Sequence, residues 1–566
     1  MSWSTPEDAM PWVGLYVAIA SLVCIIAMAA DALHGIWRWK LWFPNKYFTL
    51  NAVSLSLIAI AMKLPVDLNS NDDSESNVDL AKLVSIIFLF TMLANILPSL
   101  GLMNDKELLV NMVALCILII TINVNLWIQA VALIGYPDPV ILFMLIFPLL
   151  FVLSVALTVP ASRRNLEHQY MELHALTSNS QDIHFSFKEF TRKVKKYWMM
   201  AETGNPQFAL ACSQVSSVFG FSLLKRLTFN RSDSEINVRA EMKEYTTYVL
   251  QIQDDAKLSK RILRNTLNSI TRFLQVSEKK RPRNLIKLLR SSKGFNGVID
   301  FDDERVPPLI SEVIHNSWSL VVVTLTAIAI ALPSLSDDRI KQLLLSVNEG
   351  LYFVRHVEEC LNNEGESLVH SRKASRRVGI EVEVYRKWLQ IDLQKMARKG
   401  KTSKEIFQWL GDEAVEIVKR FTNYKNASLD HSLHNFIAAN TMYRISQTIH
   451  FHYNNDKYWP TDKEVIVHVT TLIADIFLAC FTNLPRVITL KCHHDALEKR
   501  QDSIRTAAEI LGKSKKVLKI LKVCQLPNLD IDSMAYLDKW HALSKKDISN
   551  ISTFAYSGEL LMVTIM

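Results

Sequence analysis

The sequence predicts an all-α chain, a polytopic membrane protein with about five transmembrane helices followed by a large cytosolic helical domain. Three observations predict it. Apolar stretches crowd into the first 160 residues, and a hydrocarbon core about 30 Å thick needs roughly 20 apolar residues of helix to cross it. The loops between those stretches alternate in charge. Beyond them, apolar residues recur at helical spacing behind repeated helix-start signals, and glycine is scarce, at 15 of 566 residues. That scarcity disfavours nucleotide-binding α/β folds, which need glycine at their strand-to-helix turns.

Residues 1–10 read as a short extracytoplasmic N-terminus. Glu7 and Asp8 stand where a cleaved signal peptide would carry a basic region, so the first apolar stretch is expected to stay as a span. Residues 11–160 then form the bundle, with spans over about 12–33, 48–64, 83–103, 108–134 and 140–159. Pro139 and Pro160 bound the fifth. The first loop holds Arg38, Lys40 and Lys46, and the second Asp67, Asp72, Asp73, Glu75 and Asp79. The third is the mixed Asp105-Lys106-Glu107, and the fourth carries Asp138 alone. Arg163 and Arg164 follow the fifth span. Positive charge collects on the cytoplasmic side, so this order places the N-terminus outside and the C-terminus in the cytosol. An odd number of spans gives the same answer. Whether the membrane is plasma membrane or endomembrane is not encoded in this pattern.

Polar residues within spans are functional candidates by default. Asp31 and His34 fall at the inner end of the first span, where an interfacial pair is the plainer reading. Asn111, Asn123, Asn125 and Gln129 give the fourth span a polar face, suited either to hydrogen bonds with neighbouring helices or to lining a pathway.

Two blocks carry a resemblance. They read WRWKLWFPNKYFTLNAVSLSLIAIAMKLPVDLN over residues 37–69 and ANILPSLGLMNDKELLVNM over 94–112. They look like a plant-restricted family of multipass transmembrane proteins with no assigned biochemical activity. The likeness continues more loosely through VVVTLTAIAIALPSL (321–335) and FTNLPRVI (481–488). It implies a membrane location and a plant source, and it brings no catalytic residues. Trp37, Trp39 and Trp42 beside Arg38 and Lys40 are also what an interfacial belt requires.

Residues 161–185 read as a linker with LTSNSQD at its centre, and 186–566 as a cytosolic α-helical domain of one or two subdomains. Ser186-x-x-Glu189, Ser232-x-x-Glu235, Thr402-x-x-Glu405 and Thr461-x-x-Glu464 fit the capping box, in which each side chain satisfies the other's backbone donor. Two apolar segments, Trp318–Leu332 and Val465–Cys480, are short for spans, and His468 and Asp475 interrupt the second. Buried core helices are expected there, with extra spans as the alternative. Their wording is alike, which hints at a duplication.

The net charge of +8 hides an asymmetry: residues 1–160 carry −5, and the remainder, with 58 basic and 45 acidic residues, carries +13. A basic domain tethered at a membrane points to anionic lipid headgroups and to cytosolic protein partners rather than nucleic acid. Lys188, Arg192, Lys193, Lys195 and Lys196, interleaved with Phe190, Val194 and Trp198, form a candidate lipid-facing cluster. Ser375 behind Arg372-Lys373 is a candidate phosphosite, where phosphate would reverse the local charge. Sequons at Asn230, Asn426 and Asn550 fall in the cytosol on this topology and are expected to stay unglycosylated.

Other chemistry is sparse. Seven scattered cysteines include no CxxC pair. Gly400-Lys401-Thr402 lacks the earlier glycine of a phosphate loop, because Lys395 stands in its place. Asp67-x-Asn69-x-Asn71 lacks the glycine and the terminal glutamate of a calcium loop. His450, His452, Cys492, His493, His494 and Asp495 can bind metals, but adjacent histidines on a helix point apart. No catalytic set and no cofactor is expected. The sequence therefore favours a membrane-anchored adaptor or scaffold. The alternatives are a transporter or channel using the fourth span, and a membrane enzyme of unknown reaction.

Overall fold

The computed structural model describes residues 10–37, 45–61, 88, 91–92, 95–134, 139–178, 186–208, 244–250, 256–309, 315–333, 335–362, 365–423, 429–454, 459–493, 497–524 and 535–542. Among them the chain is all-α apart from one two-stranded hairpin. It divides into two compact units, one of residues 1–182, 192–273 and 493–505, the other of 183–191, 274–492 and 506–566. That cut differs from the expected boundary at 160–185. Chain from beyond that boundary, around residues 192–208, 244–273 and 493–505, is counted with the N-terminal unit.

The first unit begins with α1 (Met10–Trp37), α2 (Ala52–Ala61), α3 (Asp105–Ile134) and α4 (Pro139–Ser178). At about 1.5 Å per residue, the 28 residues of α1 and the 30 of α3 each exceed a bilayer core in length. Most of the apolar side chains of α1 point outward: Trp12, Leu15, Ile19, Leu22 and Ile26 are all exposed, while Val17, Ala20 and Cys24 are buried. The segment expected to end the third span closes in a 3-10 turn at Leu97–Leu102, with Pro98 in its first positions. Cys24, Ile58, Ile96, Leu108, Met112 and Val159, drawn from successive elements, share one core.

Residues 161–178 are helix rather than linker, since α4 runs unbroken through Pro160 to Ser178. An interior proline removes one helical hydrogen bond. The helix continues because it has a face to bury: Val159, Leu166, Tyr170 and Thr177, spaced seven, four and seven, are all buried. The polar run from Thr177 is where the helix stops.

Polar contacts tie one end of this unit together. Asp31 at the end of α1 accepts hydrogen bonds from the backbone N–H groups of Lys46, Tyr47 and Phe48 at 2.8–2.9 Å. Leu50 N–H donates to Ser99 Oγ at 3.0 Å, and Asn45 donates to the Asn95 carbonyl. Arg163 donates to the Met103 carbonyl at 2.7 Å, and Arg164 lies 3.9 Å from Asp105. The interfacial pair expected of Asp31 is thus a clasp on the following loop, and His34 packs edge-on against Tyr47.

Helix α5 (Phe187–Thr203), helix α6 (Ala256–Lys279) and a later helix, α16 (Leu497–Val523), each pass from one unit into the other. The second unit adds α7 (Arg283–Leu289), α8 (Gly297–Asp300), α9 (Trp318–Ala331), α10 (Asp337–Leu361), α11 (Gly365–Ile380), α12 (Ser403–Asn423), α13 (Leu429–Asn454), α14 (Asp462–Phe481), α15 (Leu484–Cys492) and α17 (Leu537–His541). Helix α9 is its axis: all 14 residues are buried, and α10, α11, α13 and α14 pack around it. The two apolar segments of similar wording are therefore neighbours in one core. Helix α14 and its continuation into α15 pass the same length and hydropathy test as α1, but that stretch is 83% buried where α1 is 22% buried.

Asp475, the charge within α14, has a structural task. It accepts from Ser292 Oγ at 2.6 Å, Lys293 N–H at 2.8 Å and Gly297 N–H at 3.2 Å, and so holds the loop before α8. Burial pushes its carboxyl up to about 6 against those stabilising hydrogen bonds. Helix starts follow the sequence signals. Thr461 and Glu464 form the full capping box, and Thr402 and Glu405 cap each other in the same way. Ser232, Glu235 and the three sequons lie outside the described residues.

Candidate functional site

A shallow cleft open to solvent, with a cavity volume of about 60 Å³, lies between α9, α10, α11 and the π-helical turn Glu381–Tyr385 that follows α11. Helical periodicity builds it. Leu344, Val347, Leu351, Arg355 and Glu358 sit three or four residues apart on one face of α10, and Ser375, Arg376 and Gly379 lie three, four and seven residues after Arg372 on one face of α11. Helix α9 supplies Ser319, Val323 and Thr326.

Glu358 forms the floor and is 2% exposed. Its carboxylate accepts from the backbone N–H of Ser319 at 2.8 Å and from Ser319 Oγ at 2.9 Å, which places negative charge at the N-terminus of α9. Burial raises its carboxyl to about 7, opposed by the Ser319 hydrogen bonds and by Arg372 and Arg376. Arg372 donates to the Glu358 carbonyl at 2.9 Å and to the Leu368 carbonyl at 3.3 Å. Arg376 reaches Glu359 at 3.4 Å, and Asn348 donates to Glu383 at 2.6 Å.

The backbone beside the cleft is unusual. After the π-helical turn, Arg386, Leu389 and Gln390 hold positive φ of 51°, 44° and 69°. Leu389 and Gln390 are the two central residues of a hairpin joining β1 (Lys387–Trp388) to β2 (Ile391–Asp392). Such two-residue turns ordinarily carry Asn-Gly, because both positions need left-handed backbone. Arg386 is pinned by Asp337 at 2.6 Å, and Gln390 N–H by Glu381 at 3.0 Å. Strained backbone, a π-turn and a buried carboxyl with a raised pKa converge here, which marks a functional-site candidate.

Ser375 lies in this cleft wall, helical and only 3% exposed, a setting closed to a kinase while α11 stays wound. The basic cluster on α5 is divided among several environments. Lys195 is buried and Lys193 half-buried. Lys196 stands over the Tyr248 ring at 4.8 Å, and Arg192 pairs with Glu244 at 3.0 Å while remaining exposed. Lys188 is exposed. On α3, Asn111 turns back to the Met103 sulfur at 3.5 Å, and Asn123 is half-buried. These two stand about 18 Å apart along the helix. The side chains of Asn125 and Gln129 lie outside the described set.

Of the metal-capable residues, His450 packs against Trp459 and His452 stacks on His468. Burial lowers His468 to about 4. His493 meets the ring of His174 at 4.7 Å, and His494 and Asp495 lie outside the described residues. Among the described residues no three His, Cys, Asp or Glu side chains gather around one point.

The sequence signal for Glu358 is visible in retrospect. Val347, Leu351, Val354, Glu358 and Leu361 form the buried stripe of α10, with a glutamate in an apolar register. The hairpin had no such signal, because Leu-Gln is not turn-forming composition. No family model, no curated protein and no solved structure matches this chain.

Proposed function

We propose that the protein is a membrane-anchored binding protein of the adaptor or scaffold class. The N-terminal helices hold it in a bilayer, and the cleft floored by Glu358 is its recognition site. The observation that carries the reading is a contrast in burial between helices of similar hydropathy. Helix α1 turns most of its apolar side chains outward, while α9 and α14 are enclosed. Exposed apolar surface of that extent marks contact with lipid or a partner, and the length of α1 suits lipid.

The five-span, N-outside arrangement is the finer form of this reading. It is supported by the contacts that tie residues 45–50, 95–107 and 163–164 together. Those are the first loop with the start of the second span, the end of the third span with the third loop, and the exit from the fifth span, which share the cytoplasmic side in that topology. The recognition role is supported by the chemistry of the cleft, where both oxygens of the floor carboxylate are occupied by Ser319 and so serve structure rather than attack.

The test is accessibility on intact cells. An N-terminal tag reached from outside, a C-terminal tag reached only after permeabilisation, and resistance to alkaline carbonate are expected. An N-terminal tag reached only from the cytosol, or release by carbonate, overturns it. For the recognition role, proximity labelling from the C-terminus is expected to mark a set of neighbours that Arg355→Glu loses. An identical set in the variant counts against the cleft.

A further inference from the structure

The basic charge beyond residue 160 is not spread evenly. Residues 279–299 hold seven Lys or Arg and no Asp or Glu, and residues 510–524 hold five and none. The fold brings these two runs together. Helix α6 meets α16 where a Cβ added to Gly512 would overlap the Ser277 side chain, and Lys515 pairs with Glu278 at 2.8 Å beside that crossing. Just past the end of α16, burial and the charge of Asp475 push the Cys524 thiol up, and Asp475 holds the loop after α7. The last turns of α16 thus span from the approach to α7 to the loop that follows it.

Both helices turn apolar residues inward, Leu285, Ile286 and Leu289 on α7 and Val517, Leu518 and Leu521 on α16. Arg283, Lys287 and Arg290 are exposed on α7, and Lys516, Lys519 and Lys522 on α16. Lys279 and Lys280 are exposed where α6 ends. The carboxylates that touch these helices are engaged elsewhere. Glu278 is held by Lys515, Glu509 by Lys513, and Glu349 by the backbone N–H groups of Asn284 and Leu285. None of the eight exposed cations meets a carboxylate oxygen within ion-pair distance among the described residues.

We propose that this face, presented by Arg283, Lys287, Arg290, Lys516, Lys519 and Lys522, docks on the anionic headgroups of a bilayer. The proposal rests on the cytosolic placement proposed above, since anionic lipid gathers in the cytoplasmic leaflet. Charge complementarity selects the occupant. Six of the eight cations are lysine, a point charge suited to a diffuse field, and lysine is depleted in protein–protein interfaces. Residues 279–294 and 510–524 hold no Phe, Tyr or Trp on which an unpaired base could stack. The apolar faces of α7 and α16 are already buried in the protein, so contact is with headgroups and not with acyl chains. Each basic residue at such a surface is worth about fivefold in affinity.

The experiment uses the full chain in phosphatidylcholine nanodiscs, with phosphatidylserine either included in the disc or supplied as vesicles. Lysine acetylation is followed by mass spectrometry. Lys279, Lys287, Lys516 and Lys519 are expected to react at least tenfold more slowly with phosphatidylserine, in one form or the other, than with phosphatidylcholine alone. Protection should vanish in about 1 M salt, where the screening length is about 3 Å. Arg283→Glu with Arg290→Glu keeps every reporting lysine. It should return the rates to within twofold of the phosphatidylcholine values at an unchanged melting temperature. If that variant fails to fold, Arg290→Gln should reduce protection about fivefold. Lys395→Glu with Lys399→Glu makes the same charge change just after the hairpin and should leave protection intact. No protection in either form, equal protection by phosphatidylcholine vesicles, or equal loss in both double variants overturns the proposal. So does stronger protection by a short duplex RNA, which would assign nucleic acid. Protection together with an N-terminal tag reached only from the cytosol would sink the membrane orientation alone.

Discussion

At the scale of single residues, buried charges in the second unit are each held by named partners. Glu358 has a pKa of about 7 in the fold, above its ordinary value of 4.5. A raised carboxyl contributes stability that is fully present below the unfolded pKa and is lost as pH rises through the folded one. Glu358→Gln removes that loss. Relative to the wild type, the variant is expected to gain about 3 kcal/mol between pH 4.5 and 8. Thermal melts of both proteins at the two pH values check it, and a constant difference between them refutes it. Asp302 poses a different case. It is buried, its carboxyl is pushed up by desolvation, and it sits 2.9 Å from Arg444. Arg444→Met should cost about 3 kcal/mol or more by leaving a buried charge alone, and adding Asp302→Leu should recover most of it. A double-mutant cycle in denaturant reads both values.

At the scale of elements, close approach and backbone strain decide what is tolerated. Gly350 on α10 lies where an added Cβ would overlap the ring of Phe477 on α14. Gly350→Val is therefore expected to destabilise by about 3 kcal/mol through overpacking. Gly350→Ala should cost less, and equal melting temperatures for wild type and valine variant would show that the helices part freely. The hairpin tip offers the opposite sign. Gln390 is exposed, and its backbone N–H is what holds Glu381. Gln390→Gly keeps that hydrogen bond and relieves a left-handed non-glycine residue, so stability should rise by about 1 kcal/mol. A lower melting temperature would mean that the side chain contributes more than its strain costs.

At the scale of the whole molecule, one-dimensional information was sufficient for some features and not for others. Apolar run length, loop charge and capping residues act through local geometry. They made legible the all-helical class, the long N-terminal helices and the helix starts at Thr402 and Thr461. They also separated α1 from α14, since the apolar run of α14 is short and broken by His468 and Asp475, and the helix is enclosed as expected; which helices enclose it they did not show. What covers an apolar face is a property of its neighbours, and for α14 the neighbours include α9, more than a hundred residues away in the chain. The extension of α4 past Pro160 was hidden for the same reason, since a buried stripe becomes visible only once the surface that buries it is in place.

The sequence by itself determined that this chain is helical, that it carries a long apolar helix near its start and that a basic remainder follows the first 160 residues. Only the tertiary structure decided which charges are spent. It closed Asp31 onto its loop, Asp475 onto the start of α8 and Glu358 onto Ser319, and it gathered three arginines and three glutamates at one cleft. The physical reason is range. Helix propensity and hydropathy are settled within a few turns of chain, whereas the partner of a buried charge is chosen by packing between helices that the sequence keeps far apart.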